Sequence, residues 1–289
     1  MKKSAFIYVI LAGVLWGTSG IFFNLLEPFG FSPLHMTAMR AIVSAIVISG
    51  YILLTNRSFF RVKFKEFLIF ACSGLSVFGT AACYFGAIHS STVSTAVILM
   101  YTAPIFVMIY SVLFLGEKLN TAKILSLIFM IAGCALVSGI IGGMQFGFWG
   151  ILLGLGSGIC YSAYNIFTKI GMMNKSNTLS ATTYCFVVMG IVSLFVCDPP
   201  EIMELARQNL WVTVPLILGV GICTCVLPYF FYTMALRDIP AGTASALSII
   251  EPMSATLFSV IIFDEPLGIF SACGIVLILI AVFILNKNT

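Results

Sequence analysis

Apolar residues run along this chain in long unbroken stretches, separated by short clusters of turn residues or charge. Ten such stretches lie near residues 5–25, 33–54, 66–88, 93–114, 121–139, 148–168, 178–196, 212–235, 241–263 and 268–286. Most are about 18 to 23 residues long, which lets a helix rising about 1.5 Å per residue cross about 30 Å of hydrocarbon. None alternates polar and apolar positions over ~10 residues, as a barrel strand would. The separators include Glu27-Pro28-Phe29-Gly30, the basic run Arg57 to Lys65, Gly116-Glu117-Lys118, Gly142-Gly143 and Asp198-Pro199-Pro200. The pattern predicts an all-α integral membrane protein of ten transmembrane helices.

The pattern also repeats. A shift of 148 residues sets Tyr84–Leu119 on Tyr232–Leu267 without a gap, and ten of the 36 pairs are identical. Apolar composition alone supplies matches of Ala, Leu and Val. It does not readily supply Pro104 with Pro252, or Glu117 with Glu265. Five spans per repeat is an odd number, so the second half enters the membrane from the opposite side. The expectation is two domains, residues 1–140 and 148–289, forming inverted five-helix repeats around a central cavity, an arrangement suited to alternating access.

Composition agrees and excludes other classes. Of 289 residues, 61% are hydrophobic and 8% charged, too few charges to cover a water-facing surface. The net charge of +4 follows topology and is not a nucleic-acid signal. With the N-terminus inside, the cytoplasmic segments hold twelve Lys and Arg, including Lys2, Lys3, Lys118, Lys169 and Arg237, and the external ones hold only Arg207. This predicts a multi-pass protein of the cell (inner) membrane with both termini cytoplasmic. The first stretch follows Lys2 and Lys3, exceeds the length of a signal-peptide core and shows no A-x-A site, so it reads as a retained span. The nine cysteines are odd in number and mostly intramembrane, and they read as small buried hydrophobes. No metal site or cofactor is expected.

Candidate chemistry is sparse and therefore informative. Glu251 lies about eleven residues into the ninth stretch, where an ionised carboxylate needs solvent or a partner, and its repeat counterpart is Ala103. It reads as a cation-binding or proton-coupling group, or alternatively as a packing carboxylate held by serines. Arg40 lies two helical turns inside the second span, below the N-cap Ser32 and first-turn Pro33. It could contact a substrate carboxylate, pair with Glu27 or Glu251, snorkel to the interface, or tie two helices together. Pro104 and Pro252 fall mid-span and free the carbonyls of Met100 and Ser248, as hinges or as packing kinks. Trp16, Tyr84, Tyr101, Tyr161, Tyr164, Tyr229 and Tyr232 lie mid-span or nearly so rather than in an interfacial belt, and Asn165 stands one turn from Tyr161. As a set, Trp16, Arg40, Tyr84, Tyr101, Tyr161, Asn165, Tyr229 and Glu251 suggest an aromatic and polar substrate-binding cavity.

The order of these motifs resembles a known family. Ala103-Pro104-Ile105 running to Leu115-Gly116-Glu117-Lys118-Leu119, and Glu251-Pro252-Met253 running to Phe263-Asp264-Glu265-Pro266-Leu267, look like the end of an EamA-type repeat of the drug/metabolite transporter superfamily. Leu15-Trp16-Gly17-Thr18 and Met39-Arg40 resemble its first and second spans. The resemblance implies a basket of ten helices, with spans five and ten more peripheral. It also implies secondary transport of small organic metabolites, commonly export of amino acids or related amphipathic compounds. An uncoupled facilitator or an importer of the same fold is the alternative, while an intramembrane enzyme finds no H-E-x-x-H, G-x-S-x-G or paired aspartates. The partners expected are a small-molecule substrate, the lipid bilayer and protons; the oligomeric state is open, a homodimer included.

Overall fold

All ten apolar stretches are helical in the computed structural model, which describes residues 3–139 and 147–287. Lys2 and the Gly142-Gly143 separator lie outside the described residues. The first repeat comprises α1 (Lys3–Gly17), α2 (Ser19–Leu26), α3 (Pro33–Thr55), α4 (Phe64–Ser90), α5 (Val93–Met100), α6 (Ala103–Phe114) and α7 (Thr121–Val137). The second comprises α8 (Phe148–Met173), α9 (Thr178–Val196), α10 (Pro199–Arg207), α11 (Leu210–Gly221), α12 (Leu227–Asp238), α13 (Ala241–Leu247), α14 (Ile250–Phe263) and α15 (Ile269–Lys287). Among the described residues nine helical segments are long and apolar enough to cross a membrane, and α7, at 17 residues, is the shorter tenth.

Three spans expected as single helices are broken near their middles. Span one breaks at Thr18, span four at Tyr101 and Thr102, and span nine at Ser248 and Ile249. The last two breaks sit just before Pro104 and Pro252, each in the first turn of the helix that follows. The freed carbonyl of Ser248 is taken up by the amide of Glu251 at 3.0 Å, so the break is a tight turn and not an open gap. Span eight carries a π-turn, Ile222–Val226, between α11 and α12.

Helix packing is set by small residues, the usual means of close approach in lipid. A Cβ on Gly133 of α7 would lie 2.7 Å from the carbonyl of Gly274 in α15, and one on Gly274 would lie 2.6 Å from the carbonyl of Gly133. No larger residue fits at either position, and spans five and ten pair along this seam at the edge of the bundle. Gly158 lets α8 approach the break in span four, where a Cβ would meet the Leu99 carbonyl at 2.9 Å. Gly17 plays a similar part for α1 against α14, with Ser254 Cβ at 2.7 Å. Large apolar side chains such as Leu54, Phe195 and Phe283 stand exposed on the perimeter, where lipid is the solvent.

Two faces are distinguished by their loops. On the basic face, Ser176 Oγ donates to Glu66, Ser180 Oγ to the Phe59 carbonyl, and Lys169 Nζ to the carbonyls of Leu236 and Ile239, each of these last two at 2.8 Å. On the opposite face, Ser32 and His35 form a reciprocal capping box at the start of α3. There α10, absent from the ten predicted stretches, is an amphipathic helix: Ile202, Leu205 and Ala206 pack against Phe29, Phe31 and Met36, while Glu201, Glu204 and Arg207 stay exposed. It begins at Pro199, so the Asp198-Pro199-Pro200 separator starts a helix instead of forming a simple turn.

Candidate functional site

The breaks in spans one, four and nine converge on the middle of the bundle, and most of the polar intramembrane side chains gather there. Glu251 occupies the first turn of α14, against the close approach of Gly17 in α1. The Tyr101 side chain, in the break of span four, faces its carboxylate. Tyr84 from α4, Tyr161 from α8, Cys134 from α7 and Arg40 from α3 all lie within electrostatic reach of it. Six spans thus address one carboxylate. Glu251 and Tyr84 are only half-buried, although Glu251 sits well inside its span.

Arg40 is held more by backbone than by acid. Its Nη2 donates to the Thr224 carbonyl at 3.1 Å and its Nε to Cys225 Sγ at 3.3 Å. Thr224 and Cys225 belong to the π-turn of span eight, whose widened backbone leaves a carbonyl available to an outside donor. The arginine therefore ties α3 to span eight while remaining within the field of Glu251 and Tyr229.

Behind the carboxylate lies an aromatic cluster. Trp16 packs edge-on to Tyr229, with centroids 5.1 Å apart, and at 5.3 Å from Tyr232. Tyr164 meets Tyr229 at 5.3 Å and stacks with Tyr161 at 6.1 Å. The Tyr232 hydroxyl donates to Asn165 Oδ1, and Asn165 Nδ2 donates to the Tyr161 carbonyl at 2.7 Å. Asn165 is fully buried, so its amide is committed to protein partners and fixes the ring of Tyr232. The Trp16 indole N–H and the Tyr164 hydroxyl are also buried, but among the described residues no group completes a hydrogen bond with either. Beside Tyr164 a cavity of about 10 Å³, room for about one water, is lined by the hydroxyls of Ser73, Thr168, Thr182 and Thr233. An open basin of about 500 Å³ lies on the basic face between Ser4, Lys175, Arg237 and Asp238; none of the Glu251 cluster lines it.

The closure of the two faces differs. On the basic face, α13 packs on α6 and α12 packs on α8. Their repeat counterparts on the opposite face, α5 with α14 and α1 with α4, show no comparable packing. Glu251 and Tyr84, both half-buried, belong to α14 and α4, helices whose packing on the opposite face is sparse.

An EamA-like transporter family sequence pattern matches residues 3–139 and again 148–287, nearly the whole chain in two copies. The chain belongs to the EamA-like transporter family. It is similar to an uncharacterized transporter of Archaeoglobus fulgidus, 26% identical over 96% of this chain and 94% of that one. It is also similar to solute carrier family 35 member G1 of Mus musculus, 21% identical over 89% of this chain and 71% of that one. A crystal structure covering 98% of this chain and 96% of its own superposes with a TM-score of 0.81 at 18% identity, which shows a shared fold. As an EamA-like protein, then, the chain is a multi-pass membrane transporter with a small-molecule substrate.

All eight predicted site residues fall in or beside this central cluster, and the two prolines mark the helix breaks that form its walls. Sequence reasoning missed the π-turn that receives Arg40 and the carbonyls that receive Lys169. Pro228, which follows the π-turn, was the available signal, because a proline often marks where a helix ladder has been rearranged.

Proposed function

We propose that this chain is a secondary active transporter that exports small amphipathic organic metabolites, such as amino acids or related compounds, by alternating access, with Glu251 as the coupling carboxylate. The observation that carries the reading is the position of Glu251, a half-buried acid in the first turn after a helix break, addressed by Tyr101 and within the field of Arg40. An acid in such a place can hold a proton or a substrate cation in turn, because neither partner neutralises it permanently. The aromatic faces of Trp16, Tyr161 and Tyr229 suit the apolar part of a solute. The unspent donors of Trp16 and Tyr164 suit its polar end. Pro104 and Pro252 act as hinges, since the chain bends at the breaks beside them and not within a continuous ladder. The basic face is cytoplasmic, a reading the Lys and Arg distribution supports, and the membrane is the cell membrane.

The test uses purified protein in liposomes. Solutes are first screened by counterflow against amino acids, amines and sugars, and a hit is then driven by a pH gradient. Glu251→Gln is expected to abolish gradient-driven uptake while counterflow persists. Unchanged gradient coupling in that variant would favour an uncoupled facilitator.

A further inference from the structure

Glu117 and Glu265 hold the same register position in the two repeats, yet the structure uses them differently. Glu117 follows Gly116, whose φ of +67° turns the chain back after α6. Its Oε1 accepts a 2.7 Å hydrogen bond from the amide of Ala241, the first residue of α13. α13 starts from Pro240 and has no side-chain cap of its own. A carboxylate there satisfies one of the orphan amides and complements the positive end of the helix dipole. Span four thereby caps span nine. Lys169, bonded to the Leu236 and Ile239 carbonyls, steadies the loop that presents Ala241.

Glu265 follows Asp264, which makes the same left-handed turn at φ +53°. At the 148-residue offset its target is the amide of Val93, the first residue of α5. Here the two ends stand apart, and Val93 is exposed. The Glu265 carboxylate instead accepts a 2.5 Å hydrogen bond from Ser259 Oγ on its own span. Ser111, the counterpart of Ser259, is buried with its hydroxyl unpartnered.

We propose that Glu117 and Glu265 are alternating latches of the transport cycle. In the state described, Glu117 holds Ala241 and the basic face is shut, while Glu265 is parked on Ser259. When the halves exchange conformations, Glu265 moves to the amide of Val93 and shuts the opposite face, and Glu117 retreats to the idle hydroxyl of Ser111. The inference rests on the alternating-access reading, but it needs neither the substrate nor proton coupling.

Hydrogen exchange read by mass spectrometry on the full chain in lipid nanodiscs tests it without any solute. Loss of one charge-assisted bond is expected to shift an equilibrium about tenfold. Glu117→Ala should therefore speed exchange around Ala241 about tenfold and slow it around Val93. Glu117→Gln, whose amide oxygen still accepts, should fall between. Glu265→Ala should act in the opposite sense and slow exchange around Ala241, because the competing state has lost its latch. Both variants moving Ala241 in the same direction would overturn the proposal. Should Glu117→Ala not fold, Glu265→Ala decides alone, and no slowing around Ala241 rejects the latch. A failed transport assay with these exchange shifts intact would count against the transport reading and leave the latch standing.

Discussion

Spans four and nine share a register, with Pro104 matching Pro252, Ser111 matching Ser259 and Glu117 matching Glu265, yet their two ends are in opposite conditions. At the basic face α13 is wholly buried, packs on α6 and is capped across the repeat boundary by Glu117. At the opposite face α14 and α5 are apart, and Glu265 bonds within its own span. Under the alternating-access proposal, sequence symmetry combined with structural asymmetry is what one state of a two-state element would show. The difference cannot come from local propensity, because both turns carry a left-handed residue at the same position. It comes from which helices have closed on each other.

The largest expected effect is at Gly242, beside the capped amide. A Cβ there would lie 3.5 Å from Met108 Cα and 3.6 Å from Glu117 Oε2, an ordinary contact, so Gly242→Ala should behave like the parent. The further atoms of Gly242→Leu have no such room and should cost ~1–3 kcal/mol. They would pry the basic face open, seen as faster exchange in α13 and a lower melting temperature. Equal behaviour of Ala and Leu would mean that α6 and α13 do not form the closure.

Next is Lys169→Met, which removes two bonds to the carbonyls that end α12. Hydrogen bonds to charged groups are worth about 1.5–3 kcal/mol in water and less within a bilayer, so a loss of about 1–2 kcal/mol is expected, confined to the basic face. Exchange along α5 would report any spread to the other end. Smaller still is Ser32→Ala at the opposite face, about 1 kcal/mol from a lost N-cap. Because that cap lies within one helix, it should lower thermal stability without changing the balance between faces. The smallest is Glu201→Gln, whose partner His35 lies 3.4 Å away but whose own side chain is 55% exposed. A change below ~1 kcal/mol in melting is expected.

Much of the fold was legible because lipid makes simple demands. Long apolar stretches announced helices, and the paired prolines at 104 and 252 announced where two of them break. The candidate site was legible as positions: Glu251, Arg40 and the mid-span tyrosines stood out because polar groups are scarce there. Their partners were not. Arg40 was open to a carboxylate, a substrate or another helix, and it binds a π-turn carbonyl that no periodicity predicts. Asn165 was read by its spacing from Tyr161, but its partner Tyr232 lies 67 residues away. The helix α10 escaped notice because its apolar face is too short to read as a span.

The sequence by itself determined the spans, the repeat and the scarcity of intramembrane charge, since each follows from the cost of exposing polar groups to hydrocarbon. Tertiary structure alone decided that Glu117 caps α13 across the repeat boundary while Glu265 bonds within its own span, and that α13 closes on α6 while α5 does not close on α14. Those choices depend on contacts between residues more than a hundred positions apart, such as Glu117 with Ala241, which local sequence does not specify.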